Sequence, residues 1–303
     1  MFDKSDQNNH QRQVLVDSRT YNVMSVRKGG MGKVWLLEQA FNDSFDPVYR
    51  HRIAVKTFDY MKDEKSIEQE LNIWISLEHP NILSLKKIGR LNYRLAAIMP
   101  LLDGNLDDVM ANCKPFNEKH TAIVLETIVN GLDFAWSKHK ILHLDLKPSN
   151  VMVEGKDTLQ IKVGDWGISR LAKETSRSIE IKHSGLDMAN NLTVYGAGTP
   201  LYMAPERFTG CWSLSPGIDI YSLGILAIQL NTGKLPFNQD KMDIQLEIRS
   251  QKYFENAIQI LSHHSEVFRN FCLDCIAPDI NKRISSYKEV FYRLKQIMKK
   301  GAR

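Results

Sequence analysis

The chain has 303 residues, of which 43% are hydrophobic and 25% charged, a composition typical of a globular protein with one or two cores. The net charge of +5 is small and the Lys and Arg residues are spread along the chain, so we expect no nucleic-acid partner. The N-terminus lacks a signal-peptide core and the apolar run 218–230 is too short to span a bilayer, which predicts a cytoplasmic protein with no membrane partner.

The cysteine content indicates a reducing compartment. Four cysteines in a chain of this size are too few for a disulfide framework. The spacing of Cys272 and Cys275 is compatible with a redox or zinc site, but no second Cys or His pair lies near it in sequence. The flanking residues Phe271, Leu273 and Ile276 favour a buried helix instead.

Residues 1–18 are rich in polar residues and predict a flexible lead-in. From Tyr21 a β-prone run leads into R-K-G-G-M-G-K-V-W at 27–35, and the pattern predicts two strands joined by a glycine turn. Because the tip carries little side chain, its backbone N–H groups could lie against a phosphate. A tight hairpin also needs glycine, and this remains the alternative.

A predicted strand over 52–57 places Ala54 and Lys56 on one face, where the small residue leaves room for a flat ring and the lysine could reach phosphates attached to it. The helix predicted over 63–78 has a buried stripe made of Ile67, Leu71, Trp74 and Ile75. Glu70 falls on the same stripe and needs a cation, for which Lys56 is the candidate. A surface lysine and a glutamate that merely flanks the stripe are the alternatives.

The chain changes character near residue 104. Strands predicted over 82–88 and 94–99 are followed by a connector, and the rest of the chain is rich in helix patterns. This change predicts an α+β fold of two lobes. The expected divisions are an N-terminal lobe at 19–99, a hinge at 100–104, a C-terminal lobe at 105–298 and a basic tail at 299–303.

The segment I-L-H-L-D-L-K-P-S-N-V-M-V at 141–153 carries the most chemistry. Asp145 could accept a proton from a hydroxyl, Lys147 could neutralise a phosphate oxygen, and Asn150 offers an oxygen to a divalent cation. An ordinary polar loop is the alternative. A helix predicted over 117–138 leads to this segment, with inward residues Ile123, Val124, Ile128, Leu132 and Ala135.

Two short strands, 151–153 and 161–163, are predicted to pair antiparallel. Asn150 comes just before the first and Asp165 just after the second, so we expect them to be neighbours and to form a magnesium site beside Asp145. The alternative is a chance hairpin. The stretch 170–199 has no regular pattern, which is unusual in a compact domain unless it is functional. Asp219 lies near the start of an apolar helix predicted over 218–232, where the helix dipole favours a carboxylate.

The motifs occur in the order glycine hairpin, A-x-K, helix Glu, D-x-K-P-x-N, D-x-G, A-P-E and D-x-Y-S-x-G. This order resembles that of Hanks-type serine/threonine protein kinases over residues 20–298, and Gly-Gly-Met-Gly is similar to the glycine loop of bacterial members. The resemblance implies a bilobal kinase domain over 19–298. Its expected cofactors are ATP and Mg²⁺, and its expected substrates are proteins with Ser or Thr hydroxyls.

The resemblance also implies roles for individual residues. Asp145, Lys147, Asn150 and Thr199 would be catalytic, Lys56 would hold phosphates and pair with Glu70, and Asn150 and Asp165 would bind magnesium. The nucleotide would further contact Arg27, Lys28, Gly29, Gly30, Met31, Gly32, Val34, Ala54, Met99, Pro100, Leu102 and Met152. Glu206 would pair with Arg283. Separately, Thr175, Ser176, Ser178 and Thr193 are candidate sites of autophosphorylation, because they lie in the stretch without regular pattern.

Four positions depart from the family pattern. Arg27 stands where the first loop glycine usually lies, Trp166 replaces the usual Phe of D-x-G, and Pro100 occupies the first hinge position. Leu144 replaces the arginine before the catalytic aspartate. That arginine normally grips a phosphate on the activation segment, so we expect an enzyme that is active without this phosphate or is controlled in another way.

Two other functions share the fold. A pseudokinase scaffold requires loss of the lysine, the aspartate or a metal ligand, and all are present. A small-molecule kinase is the second alternative, and the A-P-E segment and Thr199 favour a protein acceptor over it. No feature of the sequence indicates an oligomeric state.

Overall fold

A computed structural model describes residues 12–29, 32–40, 52–58, 63–155, 159–166, 170–171, 199–208, 214–237, 247–248 and 250–300. The chain divides into two compact units, the first formed by Met1–Glu78 and Ser84–Leu102, the second by His79–Leu83 and Asp103–Arg303. The first is rich in strands and the second in helices, which agrees with the predicted α+β class. Gly30, Met31 and the four candidate phosphorylation sites lie outside the described residues.

The first unit is built on antiparallel strands, namely β1 Gln13–Val16, β2 Arg19–Gly29, β3 Gly32–Gln39, β4 Arg52–Phe58, β5 Lys87–Leu91 and β6 Arg94–Pro100. Their order is β1-β2-β3-β4-β6-β5, and Val16 pairs with Leu91 so that β1 also meets β5. Alternate residues pack into one core that includes Trp35, Leu37, Ile53, Val55 and Ile98. The residues between these positions therefore belong to the opposite face of the sheet.

Two expectations for the N-terminal third of the chain are corrected. Strand β1 lies inside the stretch expected to be a flexible lead-in, because Val14 and Val16 alternate with polar residues and are buried in the sheet. The strand expected over 82–88 begins only at Lys87. Ile82 and Leu83 are buried in irregular chain, and hydrophobicity alone does not separate such a segment from a buried strand.

Helix α1 spans Glu64–Ile75, close to its predicted bounds. Its N-terminus is capped by Asp63, whose side chain accepts a hydrogen bond from the backbone N–H of Ser66 at 2.9 Å. The buried stripe contains Glu70 together with Ile67, Leu71 and Trp74, so the unusual position of Glu70 is confirmed. Ile75 is 38% exposed and does not belong to the stripe as predicted. It lies about 100° around the helix from Trp74, beyond the edge of the buried face.

In the second unit the helices are α2 Leu106–Asn112, α3 Glu118–His139, α4 Gly217–Thr232, α5 Lys252–Ile260, α6 Glu266–Cys275 and α7 Tyr287–Lys300. The short strands are β7 Gly104–Asn105, β8 Ile141–Leu142, β9 Val151–Glu154, β10 Gln160–Val163 and β11 Arg170–Leu171. Strands β10, β9 and β7 form one sheet in that order, and β11 pairs with β8. Strand β11 falls within a stretch expected to lack regular structure, so that expectation is wrong for its first two residues.

Helix α4 forms the centre of the second unit, because all its residues except Gln229 and Thr232 are buried. Helix α3 contacts both α4 and α7. It runs within one residue of its predicted bounds at each end and buries Ile128, Leu132 and Ala135 as expected. Ile123 is 44% exposed, which contradicts its predicted inward position.

Helix α6 confirms the helix-core interpretation of the Cys-x-x-Cys pair. Cys272 and Cys275 are free thiols with no exposed surface, whereas Cys113 is a free thiol at the surface. Burial raises the pKa of both helical thiols well above the ordinary range, so they stay protonated at neutral pH. Within the described ranges, no helix is both long and apolar enough to cross a lipid bilayer.

Candidate active site

The segment His143–Asn150, called the catalytic loop after the role predicted for it, joins β8 to β9 in the second unit. It ends in a short 3₁₀ turn, Pro148–Asn150, in which proline occupies the first position. Asp145 and Asn150 are buried, with 8% and 6% of their surface exposed, and the Lys147 side chain is 23% exposed. The loop therefore holds an acid, a cation and an amide in a largely dry environment, where polar groups need partners.

The carboxylate of Asp145 has a partner on each oxygen. Oδ1 accepts the backbone N–H of Thr199 at 2.9 Å, and Oδ2 accepts Lys147 Nζ at 2.8 Å. Lys147 Nζ also donates to Thr199 Oγ1 at 2.6 Å. The structure thus brings together three residues that were predicted to be catalytic, one of them more than fifty positions away in sequence. Each of these bonds involves a charged group and fixes where the carboxylate points.

Asn150 faces Asp145 with its amide nitrogen. Nδ2 donates to the backbone carbonyl of Asp145 at 2.8 Å and to Oδ2 at 3.1 Å. The amide oxygen consequently points the other way, where it is available as a hard ligand. The orientation follows from the hydrogen bonds, because two acceptors of Asp145 require the N–H₂ end.

The hairpin formed by β9 and β10 is confirmed, with Ile161 opposite Val153 and Val163 opposite Val151. Beyond its end, the backbone N–H of Gly164 donates to the carbonyl of Asn150 at 2.8 Å. Asp165 follows at once, so the predicted neighbourhood of Asn150 and Asp165 exists at the level of the backbone. Asp165 has a φ of 59°, a left-handed conformation that Asp tolerates better than most residues.

His143 connects the loop to the same hairpin. Its Nδ1 accepts the backbone N–H of Asp145 at 3.2 Å, so the proton of the neutral ring must reside on Nε2. Nε2 can then donate to the carbonyl of Gly164, 2.8 Å away. The ring also packs edge-on against Trp166 at 4.7 Å, and the Trp166 indole N–H donates to the Val163 carbonyl at 3.1 Å. The unusual tryptophan is accommodated with its polar atom satisfied.

Asp219 supports the loop from helix α4, and the sequence indicated only that it suits a helix start. Its side chain has no exposed surface. It accepts the backbone N–H groups of His143 at 2.8 Å and Leu144 at 2.9 Å, and the Tyr287 hydroxyl at 3.2 Å. A carboxylate inside an otherwise apolar helix was the sequence signal that could have indicated this role, since a buried charge must be hydrogen-bonded.

The segment 199–208 carries two further contacts. Glu206 forms a two-pronged ion pair with Arg283, with Nη1 to Oε1 at 2.7 Å and Nη2 to Oε2 at 3.0 Å, as the family resemblance implied. Arg207, which no sequence pattern singled out, is buried and donates from Nη1 to the Leu144 carbonyl at 2.5 Å. The signal for Arg207 would have been a cation directly after the A-P-E motif.

The first unit holds the remaining predicted residues. Lys56 lies in β4 opposite Val34 of β3, and Ala54 lies opposite Met99 of β6. Side chains directly opposite each other in antiparallel strands share a face, and this face is opposite to the core of the sheet. Lys56 is only 4% exposed and Glu70 8%. The ion pair between these two stays a prediction.

The other predicted nucleotide contacts lie at the ends of the same elements. Arg27 and Lys28 lie on β2 with exposed side chains, and Gly29 pairs with Gly32. Pro100 is the last residue of β6 and Leu102 is buried just after it. The boundary of the two units falls between Leu102 and Asp103, inside the predicted hinge. Met152 of β9 belongs to the second unit, where it pairs with Asn105.

Comparisons with known proteins identify one family and several relatives with related names. Residues 25–299 match the family described as the protein kinase domain. The chain is similar to the probable serine/threonine-protein kinase PknB of Lactococcus lactis, with 27% identity over 88% of this chain and 40% of that protein. It is also similar to the serine/threonine-protein kinase PknD of Protochlamydia amoebophila, with 26% identity over 95% of this chain and 31% of that protein.

A plant protein shows comparable similarity. Mitogen-activated protein kinase kinase 1 of Arabidopsis thaliana is 28% identical over 71% of this chain and 55% of its own length. The alignments with these three relatives thus cover between 31% and 55% of their lengths.

Proposed function

The chain belongs to the protein kinase family, and on that basis we propose that it is an ATP-dependent serine/threonine protein kinase. The observation that carries the proposal is the cluster of Asp145, Lys147 and Thr199, in which a threonine backbone and hydroxyl hold the acid and the cation of the catalytic loop. Relatives whose names state the same activity support it.

The loop residues fit the transfer of a phosphoryl group to a hydroxyl. The acceptor oxygen attacks the γ-phosphorus of ATP, the bond from that phosphorus to the β–γ bridging oxygen breaks, and ADP leaves with that oxygen. Asp145 orients the hydroxyl and accepts its proton, while Lys147 lies 2.8 Å from Asp145 and can meet the negative charge of the transferred group. The protein contributes position and charge.

Magnesium fits the residues that would hold it. The Asn150 amide nitrogen is committed to Asp145, which presents its oxygen, and Asp165 follows the glycine bonded to Asn150. Mg²⁺ prefers such oxygen ligands and takes the rest of its shell from water and phosphate. When bound, the ion neutralises phosphate charge. We propose Asn150 and Asp165 as its protein ligands.

Nucleotide binding by the first unit completes the proposal. Ala54 and Met99 offer small and apolar surface to an adenine ring, together with Val34. Lys56 would hold the α- and β-phosphates, oriented by Glu70, and the hairpin at Arg27 to Gly32 would cover the phosphates. Lys56 and Glu70 are almost completely buried, and charged side chains are rarely buried without a partner. Their burial therefore supports the proposed roles, in which Lys56 holds the phosphates and Glu70 orients Lys56.

The first experiment replaces Asp145 by asparagine, which keeps the shape but removes the proton acceptor. We expect transfer of the γ-phosphate to a generic protein substrate to fall by a factor of roughly 10²–10⁴, with ATP affinity nearly unchanged. Both are measured on the purified protein with radiolabelled Mg-ATP. Asp279→Asn, at an exposed site where asparagine preserves the turn, is the matched control.

Undiminished transfer by Asp145→Asn would contradict the assignment. ATP binding without transfer by the unmodified chain would indicate a scaffold, and transfer only to small alcohols would indicate a small-molecule kinase. Mass mapping of the same reaction tests autophosphorylation between residues 170 and 199. The cytoplasmic location and the absence of nucleic-acid and membrane partners stay predictions.

A further inference from the structure

The side chain of Arg207 is almost completely shielded from water. It lies in the 3₁₀ turn Pro205–Phe208, directly after Glu206, and is 3% exposed. A buried guanidinium is costly unless it makes hydrogen bonds with charge-assisted geometry. One of these reaches the Leu144 carbonyl at 2.5 Å, in the catalytic loop. The side chain thus links the segment after Thr199 to the residue before Asp145.

Leu144 itself adopts a conformation that has to be imposed. Its φ of 66° lies in the left-handed region, which is sterically unfavourable for an L-residue with a branched side chain. Both of its backbone polar groups are held by buried charged side chains. The N–H donates to Asp219 Oδ1 at 2.9 Å, and the carbonyl accepts from Arg207. Such a conformation persists only where several contacts specify it together.

The peptide group between Leu144 and Asp145 is held at both ends. Its carbonyl oxygen binds Arg207, and its N–H donates to His143 Nδ1 at 3.2 Å. Because the peptide group is planar, fixing both atoms fixes the orientation of the plane. The plane in turn fixes the direction of the N–Cα bond of Asp145, from which the side chain that carries the carboxylate projects.

We propose that Arg207 is a positioning residue for Asp145, acting through the Leu144 carbonyl. The inference deepens the proposed function and rests on it. Thr199 and Arg207 belong to one short segment, so this segment holds Asp145 from two sides: Thr199 at the carboxylate and Arg207 at the preceding peptide. Glu206, between them in sequence, anchors the segment to Arg283. The orientation of the catalytic aspartate is therefore set by a guanidinium of the chain itself.

The test uses Arg207→Met, which keeps length and removes the donor, and Arg207→Lys, which keeps the charge and one donor. We expect kcat for phosphate transfer to fall about 10- to 100-fold in Arg207→Met, because a small misplacement of a reacting group is costly. KM for ATP should stay nearly unchanged, and Arg207→Lys should recover part of kcat. Arg293→Met, at a partly exposed arginine on α7, is the control and should keep the wild-type kcat.

Hydrogen exchange measured by mass spectrometry provides a readout that does not depend on activity. Peptides covering 141–150 should exchange faster in Arg207→Met than in the wild type, while peptides from α4 should not change. An unmodified chain without transfer activity would refute the proposed function, and the exchange comparison would still test the contact. A folded Arg207→Met with wild-type kcat or wild-type exchange in the loop overturns the inference. So does failure of both variants to fold, which would make Arg207 a general stability element.

Discussion

Gly29 and Gly32 pair across the end of β2 and β3, but their surroundings differ. At Gly32 the backbone has a φ of 143°, and an added Cβ would lie 2.0 Å from the Thr57 carbonyl oxygen of the neighbouring strand. At Gly29 the nearest atom to an added Cβ is 3.8 Å away, an ordinary contact. The fold therefore requires glycine at 32, whereas the described structure would accept a side chain at 29.

This difference predicts separate effects of two matched substitutions. Gly32→Ala should destabilise the chain by more than 1 kcal/mol, since both the clash and the positive φ oppose a Cβ. Gly29→Ala should leave the free energy of unfolding almost unchanged but raise KM for ATP if phosphates lie against that backbone. Urea unfolding and initial-rate kinetics measure the two quantities. A stable Gly29→Ala variant with the wild-type KM for ATP would contradict the proposed contact between the Gly29 backbone and the phosphates.

For individual residues, the sequence indicated which side chains are candidates for the site better than it indicated which contacts they make. Asp145, Lys147 and Asn150 could be proposed together as site residues because they lie within six positions of each other and their chemistry is apparent from residue type. The contribution of Thr199 followed only from family resemblance, and that of Arg207 from neither. Contacts between residues more than fifty positions apart depend on the packing of the helices, which no local pattern encodes.

Among the elements, the turn 79–83 contains a partly buried histidine through which its stability should respond to pH. His79 is partly buried and stacks on Phe134 with ring centroids 4.9 Å apart. Its Nδ1 accepts the backbone N–H of Asn81 at 3.1 Å. Burial lowers the pKa of His79 below its ordinary value of 6.5. Protonation at Nδ1 would remove the acceptor and place a charge in a partly dry site.

The direction of this pH dependence follows from the coupling between proton binding and folding. Because the folded-state pKa is below the unfolded-state value, the unfolded chain binds more protons on acidification. The stabilisation is complete above pH 6.5 and is lost as the pH falls through the lowered folded-state pKa. We expect the free energy of unfolding of the wild type to drop between pH 7.5 and 5 by more than that of His79→Asn, which keeps an acceptor but does not titrate.

Urea titrations of both proteins at several pH values provide the comparison. The exposed His120 offers a matched control, since His120→Asn should retain the wild-type pH dependence. Identical pH profiles for wild type and His79→Asn would contradict the prediction.

Elements with a strong local pattern were predictable. The hairpin of β9 and β10 and the helix α3 carry their turn and cap signals in sequence, such as Asn117, which accepts the His120 N–H at 2.8 Å. The strand expected over 82–88 was not predictable correctly, because Leu83 donates its N–H to Val163 and is buried without joining a strand. Burial by tertiary contact and burial in a sheet look alike in a sequence.

For the whole molecule, the proposal requires that residues of both units act on the same nucleotide. A double-mutant cycle tests this with Lys56→Met and Asp165→Asn, each expected to weaken Mg-ATP binding. If both hold one Mg-ATP, the second substitution should cost less in the background of the first, with a coupling of about 1 kcal/mol or more. Calorimetric titration of Mg-ATP into the four proteins measures it.

Lys65, exposed on α1, supplies the control, and Lys65→Met combined with Asp165→Asn should behave additively. Additive effects of Lys56→Met and Asp165→Asn, within about 0.5 kcal/mol, would mean that the two residues do not share a ligand. The lobe and hinge bounds expected near residue 104 stay predictions, whereas the α+β class followed from the shift in pattern there. The partition of His79–Leu83 into the second unit did not, because it depends on contacts with β10 that are eighty positions away.

The three hydrogen bonds to Asp219 also affect when the protein becomes active during folding. Two of them join His143 and Leu144 to Asp219, which lies 76 and 75 positions downstream. The third joins Asp219 to the hydroxyl of Tyr287, another 68 positions further along. Closing such distant contacts is slow relative to forming local helices. During refolding, helical signal should therefore return well before turnover, and a nascent polypeptide should remain inert until Tyr287 has emerged and docked.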